Sequence, residues 1–383
     1  MSILIGIDGS EAQDKRRVGV SEYAYNLIYA LYRVSIISKS KYRFIIYLKS
    51  DKKDDLPPEN SNFTYKVLPG NRFWVFRNLL PNLNKDKNID VFFSPTHYLP
   101  VFTRTPQVCT IHDLGYLMFS EQFKRYDFWQ LKYWTAISLY ISKYIISVSE
   151  STKNDIVRHY PKCLNKIKVV YHGIDHKIFN QNISSIVVRQ VKNKYKIHKN
   201  YILSVGTLKP SKNIKGMMRA FHKFIKNEPR LSIDYQMVIS GKKGWMYNDI
   251  FNFVKENNLE DKIIFTDYVS LKEKLALYKG ARFLLSPSYW EGFGMHVLES
   301  MACKTPVVLS SKGSLYEVAG SAGIYVNPYS EDSIEKAISK LVKMDESEYN
   351  KLSNACLKRS MSFNWDKTAQ ETLKVLEKLS KVK

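Results

Sequence analysis

The chain has 383 residues, 44% of them hydrophobic and 25% charged, and carries a formal net charge of +23. That length accommodates two domains with full cores, and the composition is that of a soluble globular protein, which excludes disordered, fibrous and disulfide-built classes. Every apolar run falls short of the ~18 residues a membrane-spanning helix needs, and the excess of Lys and Arg is spread over both halves with no basic tail. Phosphorylated ligands, an anionic membrane and nucleic acid are the partners such a charge suits, and compositional drift toward Lys and Asn is the plain alternative.

In chain order, the short apolar run at the start, up to Gly9, has no basic segment before it and is expected to be a first strand, not a signal peptide. Strand-like runs recur at Tyr42–Leu48, Phe63–Val67, Val91–Ser94, Val108–Ile111, Tyr144–Val148 and Ile167–Val170. Helical stretches lie between them at Ser21–Tyr32, Phe123–Ile141 and Glu150–Tyr160. The stretch Asn180–Asn200 is polar and helix-prone, so a domain boundary is expected near residues 180–190. The pattern restarts at Tyr201–Val205 and continues through Gln236–Ser240, Ile263–Thr266, Phe283–Ser286, Val307–Leu309 and Gly323–Val326. Strands alternating with helices predict an α/β protein with parallel sheets, built as two doubly wound domains with a cleft between them. The expected domains are 1–187 and 188–363, followed by a helix over 364–383. Four widely separated cysteines with no C-x-x-C are expected to be reduced thiols in a cytosolic protein.

The most informative stretch runs from Tyr289 to Cys303. A strand ends at Ser286, a Gly-x-Gly turn carries Glu291, Gly292 and Gly294, and a helix from Met295 carries Glu299. A helix start offers free N–H groups and a positive dipole end, which suits a phosphate. The two glycines let a ligand approach the backbone closely. A carboxylate then stands at either end of such a ligand, where a bland surface turn would leave Glu299 solvated. A second strand ends in Gly206-Thr207-Leu208-Lys209-Pro210-Ser211-Lys212-Asn213 before a helix, again a glycine turn with a cation at a helix start. Gly241 follows a third strand, and His112-Asp113 ends another in a polar pair. No D-x-D, H-E-x-x-H or Cys/His cluster is present, so no metal is expected. Walker A and G-x-G-x-x-G patterns are also missing. The segment Phe123–Trp134 mixes aromatic and basic residues, which suits a headgroup interface or a polyprenyl-phosphate acceptor. The alternative is a core helix burying Leu131, Trp134, Ile137, Ser138 and Ile141.

The Glu291–Glu299 string resembles the E-G-F-G-x-x-x-x-E signature of retaining, nucleotide-sugar-dependent glycosyltransferases of family 4, which have the GT-B fold. Further landmarks resemble that family in order. Arg16–Tyr23 resembles the glycine loop, with Gly19 as its glycine, and Thr110–Leu114 resembles the H-D-L motif. Gly206–Asn213 is similar to G-T-x-x-P-R-K-N, with Ser211 where an Arg is usual. Gly241–Trp245 is similar to the G-x-x-G-W loop of mannosyltransferase-like members. Asp267–Ser270 is similar to G-Y-V-S with Asp267 for Gly, and Tyr171–Asp175 is similar to N-G-I/V-D with His172 for Asn.

The resemblance implies two Rossmann-like domains facing each other across a cleft, the last helix crossing back to the first. It implies a hexosyltransferase that moves a sugar from a nucleotide-diphosphate donor to a glycan or lipid-linked glycan in cell-surface polysaccharide synthesis, with neither metal nor cofactor. Within the family it leans toward mannose from GDP-mannose, with a UDP-sugar as the alternative donor. By the same resemblance His112 faces the donor sugar, Glu291 holds its hydroxyls and Glu299 accepts from the ribose diol. Phe293, Gly294 and Met295 offer backbone N–H groups, and Gly206, Thr207, Lys209 and Lys212 meet the diphosphate. Gly241 belongs to a donor-binding loop, Tyr268 and Val269 border the base, and Gly19 lies near the acceptor and diphosphate. A cytoplasmic protein, peripheral on the inner face of an anionic membrane and without specific nucleic-acid binding, is the expected setting. The rival reading is a catalytically weak or inactive GT-B scaffold that binds a membrane or polyanion.

Overall fold

The computed structural model describes residues 2–38, 40–244 and 248–380. The chain divides into two compact units, residues 1–173 with 363–383 and residues 174–362.

In the first unit seven strands form one parallel sheet in the order β3-β2-β1-β4-β5-β6-β7. They are β1 Ile3–Asp8, β2 Tyr42–Leu48, β3 Phe63–Val67, β4 Val91–Ser94, β5 Gln107–Ile111, β6 Tyr144–Ser147 and β7 Ile167–Val169. Ile5 of β1 pairs with Phe44 of β2 on one side and with Val91 of β4 on the other. Both faces of such a sheet are covered by helices, which is why these strands read as nearly continuous apolar runs. The order reverses between β1 and β4, and ligands of open α/β sheets bind beyond the strand ends at such a switch point.

The second unit has six parallel strands in the order β10-β9-β8-β11-β12-β13. These are β8 Asn200–Val205, β9 Tyr235–Ser240, β10 Ile263–Asp267, β11 Phe283–Ser286, β12 Val307–Ser310 and β13 Ile324–Val326. Their switch point lies between β8 and β11. The helix Ile214–Asn227 shows how sequence becomes packing here. Ile214, Met217, Met218, Phe221 and Phe224 recur at helical spacing and are buried in the core of this unit.

The units divide at Gly173/Ile174, short of the boundary expected from composition. The reason is tertiary. The helix Ser185–Lys194 lies against the helix Leu271–Gly280, where Tyr195 donates to Glu273 at 3.1 Å and Lys194 pairs with the same carboxylate. The helix Trp365–Ser380 belongs to the first unit. It buries Trp365, Ala369, Leu373 and Leu376 beside the helix Val20–Ile37, and Thr368 donates to the carbonyl of Tyr171 at 2.9 Å.

Candidate functional site

Two loops flank the β8/β11 switch point, and both are shaped by residues with left-handed backbone. After β8 comes Gly206, then a 3₁₀ turn at Pro210–Lys212, then Asn213 at φ 54° capping the helix Ile214–Asn227. Asn213 is buried, and its Nδ2 donates to the carbonyls of Pro287 at 3.1 Å and Pro328 at 2.7 Å. The Tyr289 N–H donates to the Ser211 carbonyl at 2.9 Å. These bonds tie the Lys212 turn to the loop after β11. There Gly294, at φ 97°, caps the helix Met295–Ala302.

The tie brings a cation to a carboxylate. Lys212 Nζ lies 2.6 Å from Glu291 Oε1, with both side chains mostly buried. Ser288 Oγ donates to the same oxygen at 2.7 Å. Burial alone would push the Glu291 carboxyl up, but the Lys212 ammonium beside it more than reverses this, bringing it to about 2. Glu291 is therefore ionised at any physiological pH. Its backbone is held as well, because Ser314 Oγ donates to the Glu291 carbonyl at 2.9 Å. Trp290, its neighbour, buries an indole N–H that has no acceptor among the described residues.

On the same helix, Glu299 is 5% exposed, with Lys274 Nζ 2.8 Å from Oε1 and the Tyr278 hydroxyl donating to Oε2 at 2.7 Å. His296, one turn earlier, makes a 2.7 Å hydrogen bond through Nε2 to Ser286 Oγ. Burial, reinforced by the Lys212 and Lys274 cations, holds its imidazole down to about 3, so the ring is neutral. Ser286 Oγ lies 3.4 Å from Ser288 Oγ. Polar contacts thus run from Lys212 through Glu291, Ser288 and Ser286 to His296.

The other glycine turns lock against this centre. A Cβ on Gly241 would sit 1.9 Å from the Gly206 carbonyl oxygen, and one on Gly206 would press on the Lys212 side chain at 3.2 Å. Leu208 N donates to the Lys242 carbonyl at 3.0 Å, joining the segment of Thr207 and Lys209 to the loop after β9. Gly241 N donates to the Asp267 carbonyl at 3.0 Å, which links in turn to Tyr268 and Val269. Asp267 has φ 59°, the conformation for which a glycine is usual, and its own Oδ1 accepts from Tyr268 N at 2.7 Å. Phe293 is buried and Met295 half-buried at the helix start. Ser211 is buried, so the position where the resemblance has an Arg holds no cation. Trp245 lies outside the described residues.

In the first unit, His112 follows β5, and its Nε2 lies 2.9 Å from the Pro95 carbonyl. Burial lowers its pKa. Tyr23, on the first turn after Gly19, meets the His112 ring edge-on at 4.8 Å and the His172 ring at 4.6 Å. Gly19 has φ 54°, and a Cβ there would meet nothing within 4 Å, so its glycine answers the backbone turn and not a close protein neighbour.

Lys274, Tyr278, Ser286, Ser288, Asn213 and His296 are the functional candidates that sequence reasoning left out. Lys274 and Tyr278 are four apart, one face of a helix, but nothing local shows that this face meets Glu299. The spacing Ser286-x-Ser288 did put two hydroxyls on one side of a strand end. Among the described residues no group of three or more His, Cys, Asp or Glu is placed to hold a metal ion. All four cysteines are buried and free. No described helix is long and apolar enough to cross a membrane.

Parallel sheets of this kind, two to a chain, characterise the GT-B glycosyltransferases. Sucrose-phosphate synthase from Thermosynechococcus elongatus superposes with a TM-score of 0.76 over 100% of both chains, at 18% identity. Anabaena HepE, solved with UDP and glucose, gives 0.74 over 98% of this chain and 100% of its own, at 16% identity. The model for Glycosyl transferases group 1 matches residues 188–359, and that for Glycosyltransferase Family 4 matches residues 19–178. With both models satisfied in order, the chain belongs to the family 4 glycosyltransferases of GT-B fold. Its relatives include mannosyltransferases. O-antigen chain mannosyltransferase B of Escherichia coli is 27% identical over 81% of this chain and 78% of its own length. The O-antigen chain mannosyltransferase RfbU of Salmonella typhimurium is 31% identical over 65% of this chain, which spans 64% of that relative.

Proposed function

We propose that this glycosyltransferase moves mannose from GDP-mannose to a glycan or lipid-linked glycan, with retention at the anomeric carbon and without a metal. The observation that carries this reading is the buried Lys212–Glu291 pair beside the Gly294-capped start of the helix Met295–Ala302. The cation and the first-turn N–H groups supply what a departing diphosphate needs, fixed positive charge in a site already organised for it. Lys209 is the second cation of that loop.

The C1–oxygen bond to the diphosphate breaks while a bond from an acceptor hydroxyl forms on the same face. The hydroxyl proton passes to a diphosphate oxygen, so no protein carboxylate has to attack. Retaining glycosidases, in contrast, use a carboxylate as nucleophile. Glu291 already accepts from Ser288 and faces Lys212, which suits it to accept from sugar hydroxyls. It also offers negative charge to the positive anomeric centre. Glu299 accepts from the ribose diol, with Lys274 as the cation that neutralises it before the nucleotide enters. Phe293, Gly294 and Met295 provide N–H donors, Gly241 belongs to a donor-binding loop, and Tyr268 and Val269 border the base. Gly206 and Thr207 approach the diphosphate, and His112 and Gly19 serve the sugar and acceptor side.

Mannose and a glycan acceptor rest on the O-antigen mannosyltransferase relatives. A UDP-sugar is the second reading, favoured by the likeness to sucrose-phosphate synthase and to HepE with UDP and glucose. Thermal unfolding with GDP-, UDP- and ADP-sugars separates them, since a ligand at 100 times its Kd stabilises by about 2.7 kcal/mol. The anomeric configuration of the product, read by NMR, tests retention.

A further inference from the structure

The helix Arg125–Ile141 buries Thr135, Ser138 and Leu139, and packs Phe128, Leu131 and Ile141 partly against the core of the first unit. Ile137, expected on that inner face, points outward instead. Its outer face is not the polar one that a docked helix normally shows. Tyr126, Trp129, Tyr133, Ile137 and Tyr140 recur every three or four positions and form one stripe. All five are exposed, Tyr140 at 84%. Trp129 and Tyr133 stack at 5.4 Å, and Lys132 Nζ lies 4.8 Å from the Trp129 ring.

Two further aromatic side chains of this unit stand in water on residues with left-handed backbone. Phe73 has φ 59° and Phe102 φ 64°, and Phe102 is 92% exposed. A bulky residue in that region carries strain, and neither ring offsets it by packing inside. Phe73 lies between Arg72 and Arg77, each guanidinium 5.7 Å from its ring. The turn after it stacks Phe76 on Trp134 of the long helix at 4.9 Å. The Phe102 carbonyl accepts from Asn84 at 3.3 Å, on the short helix that continues that turn. Helix and loops are therefore neighbours in one region.

The side-chain mixture selects the occupant. Tyr, Trp and Phe have an apolar body, with a polar edge in Tyr and Trp, and with Lys and Arg they match the water–lipid boundary. Lys124 and Arg125 are exposed at the helix start. A second copy of the chain would bring its own cations to this face, and a net charge of +23 opposes that. We propose that this face docks the protein on the surface of an anionic lipid bilayer, with the stripe and the two phenylalanines at headgroup depth. Docking does not depend on which donor the second unit takes, so the two proposals fail separately.

The test is co-sedimentation of the full chain with vesicles of phosphatidylcholine, with and without phosphatidylglycerol. Binding is expected only with phosphatidylglycerol, and it should fall with salt because exposed charges are screened over about 8 Å at physiological ionic strength. Lys124→Ser, Arg125→Ser and Lys132→Ser together should lower partitioning about fivefold per cation, the equivalent of ~1 kcal/mol each. Trp129→Ser with Tyr133→Ser should weaken binding at unchanged net charge. The same charge removed from exposed Lys255, Lys272 and Lys340 of the second unit, which are not part of the aromatic and basic face, should leave binding within about twofold. An equal loss in that control would overturn the proposal, as would equal binding to neutral vesicles or binding to neither. Self-association of the wild type that Trp129→Ser with Tyr133→Ser abolishes would do the same.

Discussion

Glu299 is the residue whose removal should be easiest to read. Its carboxylate is buried and already engages two donors, so a ribose that replaces either gains a charge-assisted hydrogen bond. Glu299→Ala should raise donor KM by about 10- to 150-fold, the equivalent of roughly 1.5–3 kcal/mol. Donor kinetics unchanged within about twofold would remove Glu299 from the site, being less than any such bond contributes. His296 gives a pH-dependent prediction. Its folded value is about 3 against an ordinary 6.5, so between these the unfolded chain binds more protons and stability rises with pH. Glu291 acts in the same direction over a lower window, from about 2 to 4.5. His296→Gln removes the first effect and should flatten the rise in unfolding free energy above about pH 4 by up to ~1.4 kcal/mol per pH unit. Parallel slopes in the two proteins would mean that the native ring is protonated. Glu291, Glu299 and Lys212 were legible because each sits within a few residues of a glycine turn and a helix start. Lys274 was not, since its partner lies 25 residues away and meets it only through helix packing.

At the scale of elements, the loops after β8 and β11 act as one piece because Asn213 bonds across both. Asn213→Ala leaves the carbonyls of Pro287 and Pro328 without that donor, at roughly 1–3 kcal/mol each. Calorimetry of the second unit's transition should register a drop of about 2–4 °C for every kcal/mol lost. An unchanged transition would mean that water satisfies both carbonyls. Asn213→Gly keeps the left-handed backbone and should lose the same bonds, separating cap geometry from hydrogen bonding. Strands were legible from apolar runs, because a parallel sheet covered on both faces leaves little alternation to misread. The unit boundary was harder, since the polar stretch from Asn180 resembles a linker until Lys194 and Tyr195 are seen on Glu273. The helix Arg125–Ile141 was left between a headgroup interface and a core face, because aromatic spacing looks alike whether it faces core or solvent.

For the whole molecule, the fold places a phosphate-suited helix start and two cation–carboxylate pairs in the second unit, and an aromatic and basic face on the first. If transfer relies on protein groups alone, turnover should persist in EDTA. Loss of activity that Mn²⁺ or Mg²⁺ restores would contradict that account. The most direct test of the nucleotide-sugar site is calorimetric titration of GDP and UDP into the wild-type, Lys212→Ala and Glu299→Ala proteins. The wild type should bind one of the two nucleotides, and each substitution should weaken that binding by about tenfold or more, the loss of a charge-assisted hydrogen bond. Equal affinity across the three proteins, or no nucleotide binding by the wild type, would contradict the assignment.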